Sequence, residues 1–230
     1  MNRSVCCPMC HGAGFLRREV PFGHPLFGKA FACECTEQER TRKRREQLLA
    51  RSNLGLFPQH RFATFQSRRP GVQEAFREAV QFASRPVGWL LLVGPNGCGK
   101  THLGVAIAHQ CLEAGAVVLF ATVPDLLDQL RATFDPGAQD DYTHLFAQMR
   151  EAEVVILDDL GTQQQSPWAT EKLFQLLNYR YHAALPTVLT ANPEGRETLD
   201  ARLRSRLGDH GLVTVVAMEQ AGDYRPFTKR

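Results

Sequence analysis

Residues 94–101 read GPNGCGKT, directly after the apolar run WLLLV and directly before HLGVAIAHQ. A strand that turns through a glycine-rich loop into a helix, with Lys and Thr at the loop's end, is built to cradle phosphate. Successive backbone N–H groups turn inward, and the helix N-terminus adds the positive end of its dipole. Gly94, Gly97 and Gly99 supply the backbone freedom, Lys100 is placed to reach the β- and γ-phosphates of a nucleoside triphosphate, and the Thr101 hydroxyl to ligate magnesium. Pro95, Asn96, Cys98 and His102 complete the stretch as candidate nucleotide contacts. For Cys98 the dipole and the neighbouring lysine open the reading of a regulatory thiol, against the plainer one of a small residue that the loop tolerates.

Such a loop belongs at the carboxyl end of a parallel strand, where open sheets bind ligands. From residue 87 onward five apolar runs, VGWLLLV, AVVLFA, EVVILD, TVLTA and LVTVVA, alternate with helical segments, which specifies an α/β domain with a parallel sheet and crossover helices. The third run continues as EVVILDDLG and ends in two carboxylates. Turns favour Asp on their own account. After a phosphate loop the pair acquires a second meaning: Asp158 is placed to enter a magnesium shell, and Asp159 to face the water that attacks the γ-phosphate. GVQEAFREAVQFA, over 71–83, has helical apolar spacing. Ser166 and Pro167 read as a helix start whose buried face continues through Leu173, Leu176, Leu177 and Tyr181. His102, His109 and His144 share no metal-ligand spacing.

Five of the seven cysteines precede residue 36, a clustering that needs a cause. The start, MNRSVCCPMC, lacks an apolar secretion segment and no run approaches the roughly 20 apolar residues of a membrane helix, so we expect a soluble cytoplasmic protein with reduced thiols and no membrane contact. Cys7-x2-Cys10 and Cys33-x-Cys35 then supply two thiolate pairs, the donor set of a closed structural zinc site. Cys6 could replace Cys7, and His11 one thiolate. A redox CxxC and a set of unliganded cysteines are the alternatives.

Residues 1–51 carry 10 Lys and Arg against 5 Asp and Glu, whereas the remainder carries 17 against 19. Much of the excess lies in TRKRREQLLAR, either a solvated helix face or a contact for nucleic acid or a partner. With 43% hydrophobic and 22% charged residues the composition supports a core and excludes a largely disordered chain. The organisation expected is a zinc-binding module over 1–36, a helical connector and linker over 37–70, and a nucleotide-binding domain over 71–230.

Taken together, FPQHRFATF, GKTHLGVAIA, VLFATVPDLLDQLR, VVILDDLG, WATEKLFQLLNYRY, LPTVLTAN, RLRSRL and GDYR resemble the AAA+ ATPases of the DnaC/DnaI helicase-loader and IstB transposition-helper group, over roughly residues 57–226. CPMCHGAGF with FGKAFACEC is similar to the zinc-bearing N-terminal region of loaders in that group, which IstB-type proteins usually lack. The resemblance implies five parallel strands in the order 5-1-4-3-2 and nucleotide at subunit interfaces formed by self-assembly. It implies that Asn192 is sensor 1, that Arg206 is an arginine finger acting on a neighbouring subunit and that Arg225 is the sensor 2 arginine in cis. Asp159 stands where most AAA+ ATPases have Glu, from which slow water activation follows. Only five residues follow Arg225 in the sequence, so a full helical lid is not expected.

The function implied is an ATP- and Mg2+-dependent loader of a replicative DnaB-type helicase onto single-stranded DNA. An IstB-like ATP-binding helper of a DNA transposase is the alternative, and a nucleotide switch with almost no turnover a third. Arg40, Arg42, Lys43, Arg44 and Arg45 offer salt-sensitive phosphate contacts to DNA.

Overall fold

The computed structural model describes residues 7–17, 20–52, 54–132, 139–164 and 166–225. Cys6 and the side chains of Arg44, Arg45 and His144 lie outside the described residues. Packing divides the chain into two units, Met1–Gln47 and Leu48–Arg230. Among the described residues no helix is long and apolar enough to cross a membrane.

In the first unit, β1 (Phe15–Arg17) pairs antiparallel with β2 (Ala30–Ala32), and α1 (Glu34–Arg51) begins directly after. The turn before β1 is closed by the His11 N–H on the Cys7 carbonyl at 2.8 Å and the Ala13 N–H on the Cys10 carbonyl at 2.9 Å. The Cys33 N–H donates to the Gly14 carbonyl at 2.8 Å, which brings the second cysteine pair back beside the first. Phe15, Phe22 and Phe27 all stay exposed, so these apolar side chains form no core.

The second unit is a parallel sheet of β3 (Trp89–Val93), β4 (Val118–Thr122), β5 (Val154–Leu160), β6 (Thr187–Ala191) and β7 (Val213–Ala217). Their order across the sheet is β4-β5-β6-β3-β7, which in order of appearance is 5-1-4-3-2 as expected. Because side chains alternate along a strand, Leu90 and Leu92 face one core and Trp89, Leu91 and Val93 the other, and all five are buried. The first face carries α2 (Gln73–Ser84) and α3 (Lys100–Glu113). The second carries α4 (Val123–Ala132), the end of α5 (Gln139–Glu151), α6 (Pro167–His182) and α8 (Ala201–Leu207). The short α7 (Pro193–Glu197) follows β6.

Ser166 caps α6 through a 3.1 Å bond from the Ala169 N–H, with Pro167 in the first turn, and Leu173, Leu176 and Leu177 are buried as the apolar spacing predicts. Two 3-10 turns, Leu54–Leu56 and Phe62–Thr64, precede α2. Leu54 is fully buried, and Phe57, Phe62 and Phe65 pack on the first core face, so this turn-rich stretch is held by the second unit.

Candidate functional site

The phosphate loop joins β3 to α3 through two left-handed residues, Gly97 (φ 76°) and Gly99 (φ 102°). Only glycine adopts these angles without strain. A Cβ on Gly99 would also lie 2.8 Å from Cε2 of Phe65, and one on Gly97 would collide with the Asp223 carboxylate. The C-terminal segment is fastened here: the Tyr224 N–H donates to the Gly97 carbonyl at 2.9 Å, and the Arg69 guanidinium lies over the Tyr224 ring at 4.8 Å.

Lys100 is buried, and its ammonium donates to the carbonyls of Gly94 and Pro95, each at 2.8 Å, and to Oδ1 of Asn192 at 2.9 Å. Asn192 is the N-cap residue of α7 but makes no capping bond; its Nδ2 donates instead to Asn96 Oδ1 at 3.0 Å. The end of β6 thus grips the loop from below through an amide.

At the end of β5 the register against β6 shifts between Leu157 and Leu160, and Asp159 takes a left-handed conformation (φ 58°). Such irregularity re-aims side chains at a strand's end. It leaves Asp158 buried and Asp159 half-buried at the cavity wall. Asp158 accepts hydrogen bonds from the Thr101 hydroxyl at 2.8 Å and the Thr190 hydroxyl at 2.6 Å. Burial pushes the Asp158 carboxyl above its ordinary value, while the two hydroxyls pull it back. Thr190 also accepts the Asp159 N–H at 3.0 Å, so one hydroxyl positions both acidic residues.

Asn96, Gly97, Cys98, Gly99, Lys100, Thr101, His102, Asp159 and Arg225 line one cavity of about 480 Å³. Gly94 and Pro95 lie behind it, holding Lys100. Burial raises the Cys98 thiol above its ordinary value, the opposite of what a reactive thiolate requires. Arg206 is not at this cavity: it lies on α8, against α6. The cavity is also lined by Gln59, His60, Phe65 and Arg69, which no sequence motif marks as part of the site. His102 ties their segment in place, its Nε2–H donating to the Arg61 carbonyl at 2.9 Å, and His109 Nε2–H donates to the Phe57 carbonyl at 3.2 Å.

This cradle fits a nucleoside triphosphate with magnesium: a loop whose Gly97 and Gly99 leave no room for a Cβ, a buried lysine lining the cavity, and a Thr101–Asp158 pair as candidate metal ligands.

In the first unit the sulfur atoms of Cys7, Cys10, Cys33 and Cys35 all lie within 4.8 Å of one another, with Cys7 and Cys33 at 3.8 Å and Cys10 and Cys35 at 3.5 Å. Four thiolates at the Zn–S distance of about 2.3 Å in a tetrahedron stand about 3.8 Å apart, so the quartet has the dimensions of a zinc site. A hydrogen bond from the Gly14 backbone is the main cause that brings the Cys10 thiol down to about 6, while contact with Cys10 drives Cys35 up to about 12. His11 is not part of the quartet.

Residues 36–215 match the family model described as IstB-like ATP binding protein. Among curated relatives, the IS5376 ATP-binding protein of Geobacillus stearothermophilus is 30% identical over 54% of this chain and 51% of its own length. The replicative helicase loader DnaC of Escherichia coli K12 is 25% identical over 62% of this chain and 60% of its own. The chain thus spans between half and two thirds of the length of these relatives. A crystal structure of the DnaC helicase loader superposes with a TM-score of 0.56 at 25% identity, covering 68% of this chain and 95% of that one. Aquifex aeolicus DnaA bound to AMPPCP superposes with a TM-score of 0.60 at 18% identity, over 69% of this chain and 50% of that one, and shares the fold.

Proposed function

This chain belongs to the IstB-like ATP-binding family of AAA+ P-loop ATPases, and from that premise we propose that it is a cytoplasmic, ATP-hydrolysing switch that loads a DnaB-type replicative helicase onto single-stranded DNA. The observation that carries the reading is the four-cysteine module preceding the P-loop unit. A protein that delivers a partner needs a surface for that partner separate from its nucleotide site. The module has the donor set and spacing for one structural zinc, held by Cys7, Cys10, Cys33 and Cys35. Since Phe15, Phe22 and Phe27 stay exposed, metal binding supplies most of its folding energy.

In the nucleotide site the loop N–H groups and Lys100 bind the phosphates, and Thr101 and Asp158 hold magnesium. A magnesium ion held there would supply positive charge against the phosphates. Asp159, half-buried at the cavity wall, orients the attacking water and takes its proton. Asn192, already bonded to Lys100, completes the γ-phosphate contacts. Arg225 acts from its own chain, and Arg206 from a neighbouring copy.

On α1, Arg40 pairs with Glu37, Arg42 with Glu39 and Glu46, and Lys43 with Glu39. Exposed pairs of this kind are worth little, so phosphate can exchange with them and DNA binding is weak and salt-sensitive.

A second reading, helper of a DNA transposase, is favoured by insertion-sequence relatives such as the IS21 ATP-binding protein of Pseudomonas aeruginosa, 34% identical over 55% of this chain and 44% of its own length. A pull-down with the full chain from its source cells tests the first against the second. Recovery of the replicative helicase supports the loader; recovery of a transposase in its place overturns it.

A further inference from the structure

Arg202 and Arg206 both lie on α8 and both pack on Phe174 of α6, yet their partners differ in charge. Arg202 is paired with carboxylates, Asp200 at 3.0 Å and Glu171 at 3.3 Å, with its guanidinium 3.9 Å from the Phe174 ring centroid. Arg206 pairs with no carboxylate among the described residues. Its Nη1 donates to the Arg202 carbonyl at 2.9 Å and its Nη2 to Asn178 Oδ1 at 2.5 Å, and the group lies 4.8 Å from the Phe174 centroid and 5.6 Å from that of Tyr181. Phe174, Asn178 and Tyr181 fall at i, i+4 and i+7 of α6, one stripe of that helix.

We propose that Asn178 and Phe174 are positioning residues for Arg206, fixing the plane of its guanidinium with neutral groups so that its charge is kept for the nucleotide of a neighbouring copy of this chain. The inference rests on the reading of Arg206 as acting in trans. A guanidinium has five N–H bonds, two on each terminal nitrogen. Arg206 spends one from each on its own chain, which leaves a second on each to meet phosphate oxygens. A carboxylate at position 178 would hold the group as firmly but cancel the charge it is meant to deliver. Amide and ring contacts orient it without cancelling, and reduce the rotamer freedom still to be lost on assembly.

The experiment uses the full chain with ATP and magnesium at a protein concentration where wild-type turnover per chain has reached its plateau. Asn178→Asp keeps the size and the acceptor oxygen and adds one negative charge. A merely structural role predicts equal or higher thermal stability and unchanged turnover. Positioning predicts unchanged or higher stability together with kcat lowered about 10-fold or more, at a KM for ATP within about twofold of wild type. Phe174→Leu, which keeps apolar bulk and removes the ring face, should lower kcat in the same direction with KM held. If Asn178→Asp turns over at the wild-type rate while Arg206→Ala is slowed, the positioning inference is overturned and the trans reading stands. If Arg206→Ala is not slowed, or wild-type turnover per chain does not depend on concentration, the trans reading falls and takes this inference with it.

Discussion

The Thr190 hydroxyl donates a 2.6 Å hydrogen bond to Oδ1 of Asp158 across the β5–β6 pair, and its own oxygen, Oγ1, accepts the N–H of Asp159. A threonine inside an apolar strand therefore holds one carboxylate and shapes the turn that aims the next. Thr190→Val keeps the shape and removes both bonds, leaving a buried carboxylate oxygen and a backbone N–H without partners. We expect ATP hydrolysis to fall roughly 10- to 100-fold, as when the outer partners of metal ligands are removed, and stability to fall by about 1–3 kcal/mol. Thr190→Ser should retain most activity. Steady-state phosphate release and thermal melts check both, and wild-type turnover in the valine variant would remove Thr190 from the site.

Asp158 is held at a cost to stability. Burial raises its carboxyl above the ordinary 3.8, so the folded chain binds that proton more readily than the unfolded chain does. A group of this sign contributes stability below the unfolded value and loses it as pH rises through the folded value, so at neutral pH the ionised carboxylate is a net burden. Asp158→Asn should melt at a higher temperature than wild type at pH 7 without nucleotide, with the difference shrinking toward pH 4, and should lose magnesium-dependent nucleotide binding. Melting curves at the two pH values decide the sign. A variant less stable than wild type at pH 7 would contradict the burial argument.

Much of this site was legible because its chemistry runs along the chain. GPNGCGKT fixes strand, loop and helix in eight consecutive residues, and EVVILDD places its carboxylates at a strand end. The alternation of apolar runs with helices was enough for the sheet, and the resemblance supplied its order. What escaped the reading is what the fold assembles from distant segments. Thr190 looks like any β-branched strand residue until β6 lies beside β5. Gln59, His60 and Arg69 sit in a stretch whose turn residues suggest a linker, and only packing of Phe57 and Phe65 on the core brings it to the cavity. The grip of Asn178 on Arg206 joins α6 to α8, and no periodicity announces it.

Zinc, if held by Cys7, Cys10, Cys33 and Cys35, should stabilise the first unit and leave the second intact, since the second unit has its own two cores. Protein purified without added zinc should carry about one equivalent. Stripping it with a strong chelator should make the segment before residue 48 sensitive to limited proteolysis, while melting of the P-loop unit and nucleotide binding stay as they were. Metal content below about half an equivalent, or a quadruple Cys→Ser variant as protease-resistant as wild type, would leave the quartet as unliganded cysteines.

Among the described residues, Arg180 is a buried charge that the nucleotide site does not use. It is fully buried on α6 and meets oxygen acceptors only: the Thr187 hydroxyl at 2.9 Å and the carbonyls of Met149, Arg150, Ala152 and Pro186 at 3.3, 3.1, 2.9 and 2.6 Å. Three of those carbonyls belong to the end of α5 and the turn after it, which lack helical partners. One guanidinium thus closes the C-terminus of α5 and ties it to the start of β6. Burial lowers its pKa to about 10, which still leaves it charged at any pH near neutral. Arg180→Met fills much of the volume but strands the acceptors, and each buried acceptor left unpaired costs about 1–3 kcal/mol. Some will recruit water, so we expect a loss of at least about 3 kcal/mol, or about 6–12 °C in melting temperature for a chain of this size. Arg180→Lys should recover only part, because three donors on a flexible stem cannot reproduce the planar fork. Both variants keep Lys100, Asp158 and Asn192, so ATP affinity measured well below the melting point should match wild type. A variant that melts as wild type does would show that the carbonyls at the α5 terminus are satisfied without the guanidinium.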